Sequence, residues 1–355
     1  MLYASPRMLL SASRAKPPVA GRTKAARPSC LRAFALGGAL LLAGGVFCHA
    51  AEASAPAATK VSPIPVKAPA RSKRSAKAAQ WNWDFESLAR SQAASRPYTV
   101  DIARQHVQSL SLDIAVLMAA SIYIGIDQWG WGETHFHFYG KGWFGKNTGY
   151  GGIDKLGHAW SAQVMSDYVT WRLQTLGYDK YQSAITAALL TGVAFLGVEI
   201  GDGFSHYGAS YEDFVASAAG IGFSFLRNTV PGVAEKVDFR MQYVPTGHGD
   251  SLGLGDYSGK KFLLAWKFAG FEPFKDGPLR YLEIHTGYYT RGYNEWEQAL
   301  GIPKTRSPYI GVGLNLSELL FSNPSVRDTP LASIGRTVLK YIQVPYTDVS
   351  AHNIR

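Results

Sequence analysis

The middle of the chain repeats its apolar positions with the period of an α-helix. Helices are predicted over residues 100–126, 155–176, 181–200 and 210–226. The second carries one apolar stripe at spacings of three and four, formed by Leu156, Trp160, Val164, Tyr168 and Trp171. Four helices of this length predict a four-helix bundle.

After residue 245 the apolar period changes from three or four to two, which is typical of half-buried β-strands. One such run is centred on Phe262, Leu264 and Trp266, and others cover 279–293 and 310–316. They predict a small antiparallel sheet against the helices, or hairpins resting on a lipid surface. A last helix is expected over 331–341. The predicted fold is mainly α, a four-helix bundle with a buried polar cluster and then a small β-sheet, an α+β arrangement.

The same patterns predict five regions along the chain. Residues 1–50 are predicted to be a signal peptide, and 51–80 a disordered linker rich in Pro, Ala and Lys. A helical bundle domain is expected over 81–235 and a strand-rich region over 236–325. The C-terminal helix and tail would occupy 326–355.

The N-terminus has the features of a bacterial export signal. Basic residues precede the apolar run 33–47, and Cys48-His49-Ala50 offers a small-residue cleavage site. We therefore expect an exported protein, periplasmic or membrane-associated, in a Gram-negative envelope. Both cysteines, Cys30 and Cys48, precede that cleavage site. A chain cut there has no disulfide, thiolate metal site or cysteine nucleophile.

The charge distribution argues against nucleic acid as a partner. The formal net charge is +10, but the first 80 residues hold thirteen Lys and Arg against one Glu. The remainder of the chain is therefore close to neutral, whereas a nucleic-acid-binding domain needs a basic surface on its folded part.

Charged residues interrupt the apolar helical sequence in three blocks. The first holds Asp154, Lys155 and His158, the second Glu199 and Asp202, and the third Asp213. A carboxylate at the end of an uncharged helix needs a partner, and for Glu199 the candidates are Lys155 and His158. Two of the acids also fit helix caps: Asp154 precedes a helix, and Ser210-x-x-Asp213 resembles a capping box.

Three interpretations of these blocks stay open. The first is a structural polar cluster formed by Asp154, Lys155, His158, Glu199, Asp202 and Asp213. The second is a metal site using His158, Glu199, Asp202 and Asp213, with a divalent ion as the candidate cofactor. The third is acid–base catalysis by His158, Glu199 and Asp202. A further pair, His135 and His137, is interpreted as surface or packing histidines.

The three blocks agree in order and spacing with a known family. Asp154, Lys155 and His158, then Glu199, Asp202 and Gly203, then Ser210, Asp213, Phe214 and Gly220 resemble the YfiM-type predicted periplasmic lipoproteins, whose domain has no assigned function. The likeness would cover about residues 130–320. A more distant similarity runs to VanZ-like membrane proteins. This chain departs from the lipoprotein pattern at one point. A lipidated cysteine normally follows a small residue, but Cys48 follows Phe47, which argues against lipid attachment at Cys48.

Two functions from different classes follow. The first is a structural or interaction role at a bacterial membrane surface, with the membrane or other envelope components as partners. The alternative is a metal-dependent or acid–base hydrolase or transferase, acting on an envelope lipid or a phosphorylated carrier. The resemblance implies an envelope location and a shared polar core, and it implies no reaction.

Overall fold

The computed structural model describes residues 97–248 and 253–352. The predicted signal peptide and linker lie outside these residues. The helical part consists of α1 (Val100–Ser109), α2 (Ser111–Trp129), α3 (Ile153–Thr175), α4 (Lys180–Gly203) and α5 (Tyr211–Thr229).

The prediction of one helix over 100–126 is wrong, because the chain turns at Leu110 between α1 and α2. The Leu110 side chain is 1% exposed and packs against Val169 and Leu173 of α3 and Ala187 of α4. Inserting this leucine into the bundle redirects the chain, an effect of tertiary packing that helical periodicity does not encode.

The predicted end of the third helix is also wrong, since α4 continues past Gly201 to Gly203. A Cβ atom at Gly201 would lie 2.4 Å from the indole ring of Trp131. Gly201 is therefore an interior residue of α4 that leaves space for the Trp131 ring, and the helix does not end there. The extra turn keeps Asp202 helical.

Helices α3 and α5 form the closest contact in the bundle. A Cβ atom at Gly220 of α5 would lie 1.9 Å from the backbone oxygen of Ala159 in α3. Only a residue without a side chain permits this approach. The prediction that α5 begins near Ser210 is confirmed, because the Ser210 side chain accepts a hydrogen bond from the backbone N–H of Asp213.

The bundle places polar groups inside and many apolar groups outside. The buried side of α4 is mostly polar and carries Gln182, Ser183, Thr186, Thr191, Glu199 and Asp202, together with the apolar Ala184, Ala187 and Phe195. Its exposed side carries Leu189, Val193, Leu196 and Ile200, which are 47–69% exposed. The neighbouring helix α2 buries a single residue, Gly125. By length and composition, α2 and α4 are the two described helices that could cross a membrane, a test that core helices also pass.

The second half of the described chain forms a five-stranded antiparallel sheet. Its strands β1 (Val237–Tyr243), β2 (Lys260–Lys267), β3 (Leu282–Arg291), β4 (Thr305–Leu314) and β5 (Asp348–His352) pair in sequence order. The remaining α-helices are α6 (Val233–Lys236), α7 (Glu295–Ala299), α8 (Leu316–Phe321) and α9 (Pro330–Tyr341), and α9 is the predicted tail helix. Short 3₁₀ helices cover Gly149–Gly152, Tyr257–Gly259, Phe268–Gly270, Glu272–Phe274 and Pro278–Tyr281.

Two of these strands, β1 and β5, were not predicted from the sequence. Strand β1 does alternate, with Val237, Phe239, Met241 and Tyr243 separated by polar residues, so its sequence is sufficient to predict a strand. The alternation does not show that the polar side, with Asp238 and Arg240, is buried as well. Strand β5 lies at the sheet edge, and its sequence, Asp-Val-Ser-Ala-His, contains one large apolar residue. The predicted combination of a helical bundle and a small antiparallel sheet, an α+β fold, is confirmed.

The sheet packs on the bundle through aromatic residues. Phe239 of β1 and Phe262 of β2 form a buried cluster with Ile153 and Ala159 of α3. Arg240 of β1 and Glu283 of β3 form a buried ion pair, with the Arg240 Nη1 and Glu283 Oε1 atoms 2.6 Å apart. The aromatic cluster fixes the start of α3 against the sheet, and the ion pair joins strands within the sheet.

Candidate functional site

The polar cluster lies where four helix ends meet: the ends of α2 and α4 and the starts of α3 and α5. The loop after α2 is hydrogen-bonded to the α4–α5 turn. The backbone N–H of His137 donates to the Gly203 oxygen at 2.9 Å, and that of Tyr139 donates to Ala209 at 2.9 Å. This pairing brings Lys141, two residues further along the loop, to the start of α5.

Asp213 is the centre of the cluster. Its Oδ2 atom lies 2.8 Å from Lys141 Nζ, and its Oδ1 atom lies 3.0 Å from Lys155 Nζ. Lys155 also donates to Asp154 Oδ2 at 2.8 Å. Lys155, Asp154 and Asp213 are all buried. The two ammonium groups therefore neutralise the two aspartates with little help from water.

The imidazole of His158 lies between two carboxylates. His158 Nδ1 is 3.7 Å from Glu199 Oε1, and His158 Nε2 is 3.8 Å from Asp213 Oδ2. Of the two partners predicted for Glu199, the structure places His158 beside it, while Lys155 pairs with the aspartates. The His158 side chain is 17% exposed, more than either carboxylate, so it forms the solvent-reachable side of the group.

Glu199 connects the end of α4 to the start of α5. Its Oε2 atom accepts a hydrogen bond from the backbone N–H of Ser210 at 3.1 Å. Its Oε1 atom is buried and has no hydrogen-bond partner among the described residues. Oε2 thus connects the two helices, whereas Oε1 faces His158 and accepts no hydrogen bond from the described residues.

Two predictions about helix caps are wrong. The N-cap of α3 is Gly152, in the left-handed conformation with φ of 86°, and Asp154 lies inside the first turn. A Cβ atom at Gly152 would also lie 2.7 Å from a ring atom of Phe144, which further favours glycine there. At the start of α5, Asp213 does not complete a capping box, because the Ser210 N–H donates to Glu199.

Asp202 belongs to the neighbourhood of the cluster but not to its centre. Its Oδ1 atom accepts a hydrogen bond from Trp131 Nε1 at 2.8 Å. The ligand atoms that converge within 4.8 Å of one another are those of His158, Glu199 and Asp213. Another nearby histidine, His206, is largely exposed, with its Nε2 atom 3.5 Å from Glu133 Oε2.

Burial and neighbouring charges shift the proton affinities of these groups. Burial, with a smaller effect from Asp213, raises the pKa of Glu199 to about 8. Burial lowers the pKa of His158 to about 4, and the two lysines act in the same direction. Burial also raises the pKa of Asp202. The environment therefore disfavours the ionised form of Glu199, so its carboxyl group holds a proton at neutral pH. It also keeps the imidazole of His158 neutral, which is the form that binds metal ions.

Lys141 and Trp131 belong to the site but were not predicted from the sequence. Both lie in a loop rich in glycine and aromatic residues, where no periodic pattern indicates what a side chain contacts. The one sequence feature connected with Trp131 is a pair of glycines inside apolar helices, Gly125 and Gly201. In the structure each of them leaves space for the Trp131 ring. For Lys141 we find no sequence signal beyond its charge.

An aromatic rim surrounds this end of the bundle. We define it as the exposed aromatic residues of the loop after α2 and of the α4–α5 turn: Phe136, Phe138, Tyr139, Trp143, Phe144, Phe204, Tyr207 and Tyr211. Aromatic residues are enriched where membrane proteins meet the lipid headgroups.

Residues 140–229 match the model of a family described as predicted periplasmic lipoprotein (DUF2279). The match confirms the resemblance seen in the three blocks and agrees with the predicted exported, periplasmic or membrane-associated location. It contains Lys141 and every residue of the polar cluster. It ends at Thr229, short of the strands to which the predicted likeness extended, and the similarity to VanZ-like proteins has no support from it. No curated protein and no solved structure matches the chain.

Proposed function

We propose that this protein has a structural or interaction role at a periplasmic membrane surface, and that the exposed faces of α2 and α4 contact lipid. The observation that carries the proposal is the reversed polarity of α4. A soluble helix buries its apolar side and exposes its polar side, whereas α4 buries polar and acidic residues and exposes four large aliphatic residues.

The spacing of the exposed residues supports lipid contact. Leu189, Val193, Leu196 and Ile200 are separated by four, three and four residues, so they form one continuous stripe along the helix. Large apolar patches on exported proteins mark sites of protein or membrane contact. The aromatic rim at the end of the same helix favours a membrane, because Tyr and Trp, which form half of the rim, prefer the interface between lipid and water.

Spin labels at the stripe would test this proposal. In a full-length chain with Cys30 and Cys48 replaced by Ser, a nitroxide is attached to cysteine at position 193 or 196, and the protein is reconstituted into phospholipid vesicles. The matched control carries the label at Asp276, an exposed position outside the bundle. Lipid contact predicts higher accessibility to oxygen than to a water-soluble nickel complex at 193 and 196, and the reverse at 276. Equal nickel accessibility at all three positions would exclude lipid contact by α4.

A second candidate function is a hydrolase or transferase acting on an envelope lipid or a phosphorylated carrier. It is favoured by the convergence of one imidazole and two carboxylates beside the aromatic rim. The test is turnover of labelled phospholipid or phosphorylated carrier lipid in vesicles by the wild-type protein, with loss of turnover in His158→Ala. If neither substrate is consumed by the wild-type protein, this candidate is rejected.

A further inference from the structure

The carboxylates of the polar cluster outnumber its ammonium groups. Asp154, Glu199, Asp202 and Asp213 lie around the four helix ends, and the ion pairs that reach them come from Lys141 and Lys155. If all four acids are ionised, two negative charges remain. Buried charges are costly unless they are paired or coordinate a metal, so this arrangement requires protons or another cation.

Three of the donors are arranged to receive such a cation. One ligand atom from each of His158, Glu199 and Asp213 lies within 4.8 Å of the other two. Metal–ligand bonds of 2.0–2.2 Å place tetrahedral ligands about 3.4 Å apart, so the ligand atoms need to close by up to about 1.4 Å. They come from three different helices, whose packing fixes their approach.

Glu199 supplies an independent indication of a ligand. The residue is 4% exposed, and its Oε1 atom has no hydrogen-bond partner among the described residues. This atom faces His158 Nδ1 at 3.7 Å. The other oxygen, Oε2, is held by the Ser210 N–H at 3.1 Å, which fixes the orientation of the carboxylate. Such hydrogen bonds to ligating carboxylates are typical of metal sites.

Lys141 occupies the position at Asp213 that a bound metal ion would take. Its Nζ atom lies 2.8 Å from Asp213 Oδ2, the oxygen that also faces His158 Nε2. It is carried by a loop, and its side chain is 11% exposed, so it can withdraw toward solvent. Lys155, which is 1% exposed and pairs with Oδ1, keeps Asp213 in place when Lys141 leaves.

We propose that His158, Glu199 and Asp213 bind one divalent transition-metal ion and that Lys141 competes with this ion for Asp213. A set of one imidazole and two carboxylates suits Zn²⁺ and similar ions of intermediate softness. The inference goes beyond the proposed membrane role and does not rest on it, since metal binding is measured without a membrane.

Zinc titration of the full-length protein tests this site. The protein is purified in mild detergent, treated with a chelator, and titrated with Zn²⁺ by calorimetry, with bound metal counted after dialysis. We expect about one equivalent in the wild-type protein. His158→Ala and Glu199→Gln should each weaken binding by at least about tenfold. Lys141→Met should strengthen it, by about tenfold or more, because it removes a nearby positive charge.

Matched controls separate this site from adventitious binding. His206→Ala removes an exposed histidine beside Glu133, and it should leave the single equivalent unchanged. Glu199→Gln keeps an acceptor for the Ser210 N–H, so circular dichroism should show a folded protein even if His158→Ala does not fold. The proposal is overturned if neither wild type nor Lys141→Met binds zinc saturably. It is equally overturned if the zinc affinity is unchanged in Glu199→Gln or if the bound equivalent disappears in His206→Ala.

Discussion

Glu199 Oε2 accepts a hydrogen bond from the backbone N–H of Ser210 at 3.1 Å, so a carboxylate near the end of α4 satisfies the N-cap residue of α5. Ser210 is 3% exposed, which means that water cannot replace this acceptor. The contact fixes the turn between α4 and α5 and, with it, the position of Asp213 three residues later.

Glu199→Ala should therefore destabilise the protein. It leaves the buried N–H of Ser210 unsatisfied, at a cost of about 1–3 kcal/mol, and opens a cavity in addition. Glu199→Gln keeps an acceptor and should cost less. The measurement is the free energy of unfolding of the full-length protein in urea. Equal losses for the two variants would show that the hydrogen bond to Ser210 is not the stabilising contact.

Gly220→Ala should disrupt the contact between α3 and α5. The added methyl group would lie 1.9 Å from the backbone oxygen of Ala159. Because backbone atoms cannot rotate away, the helices must separate, and overpacking of this kind costs about 1–3 kcal/mol or more. Thermal unfolding of the two proteins would measure the difference.

The matched control is Gly222→Ala on the same helix, where a Cβ atom meets nothing within 4 Å. Replacing an exposed helical glycine with alanine should stabilise the protein by about 0.5–1 kcal/mol. If both variants change stability in the same direction, helix propensity and not close packing controls these positions.

The sequence predicted the helices and three strands because their patterns are local. Apolar spacing located α3, α4, α5 and α9 to within a few residues at most boundaries. It failed at Leu110, where burial against α3 turns the chain, and at Gly201, where a glycine accommodates a ring. Strand β1 carries a regular alternation that is sufficient to predict a strand, but the alternation does not reveal that its charged side is buried too.

The candidate site was predictable as a set of residues but not as a geometry. Charged residues in apolar helices indicated Asp154, Lys155, His158, Glu199 and Asp213, since such charges need partners. The identity of each partner depends on how helix ends meet. For that reason the pairing of Lys155 with Asp213, and the arrival of Lys141 from a loop, could not be read from spacing.

Stability should depend on pH through His285 in the sheet. This buried imidazole lies between two carboxylates, with Nε2 2.8 Å from Glu283 Oε1 and Nδ1 3.6 Å from Asp348 Oδ2. Burial alone would lower its pKa, but the two carboxylates outweigh burial and raise the pKa above the ordinary 6.5. Arg240 also pairs with Glu283, and Lys261 influences Asp348.

A histidine with a raised pKa binds its proton more tightly in the folded state, so its contribution is fully present below pH 6.5 and is lost as pH rises through the folded pKa. We expect the melting temperature to fall over that interval. His285→Gln, which has no titrating ring, should show a flatter profile. An unchanged slope in this variant would assign the pH dependence to other groups.

Asp238 is a buried carboxylate shared by three cations. Its oxygens lie 2.8 Å from Arg227 Nη1, 2.7 Å from Arg240 Nη2 and 3.0 Å from Lys267 Nζ. Burial would raise the pKa of Asp238, but these cations outweigh it and hold the pKa well below the usual range. The stabilisation is present above the ordinary aspartate pKa and is lost as pH falls.

Asp238→Asn should destabilise the protein by about 3–5 kcal/mol, because it removes the carboxylate that pairs with buried Arg227 and Lys267, while Arg240 keeps Glu283. Lys267→Met is the matched control, since it removes one of the three cations and leaves Asp238 with two arginines. It should cost less than half as much. Urea unfolding at pH 7 measures both variants. If Lys267→Met proves as damaging as Asp238→Asn, the cluster depends on all of its ion pairs together and not on its single carboxylate.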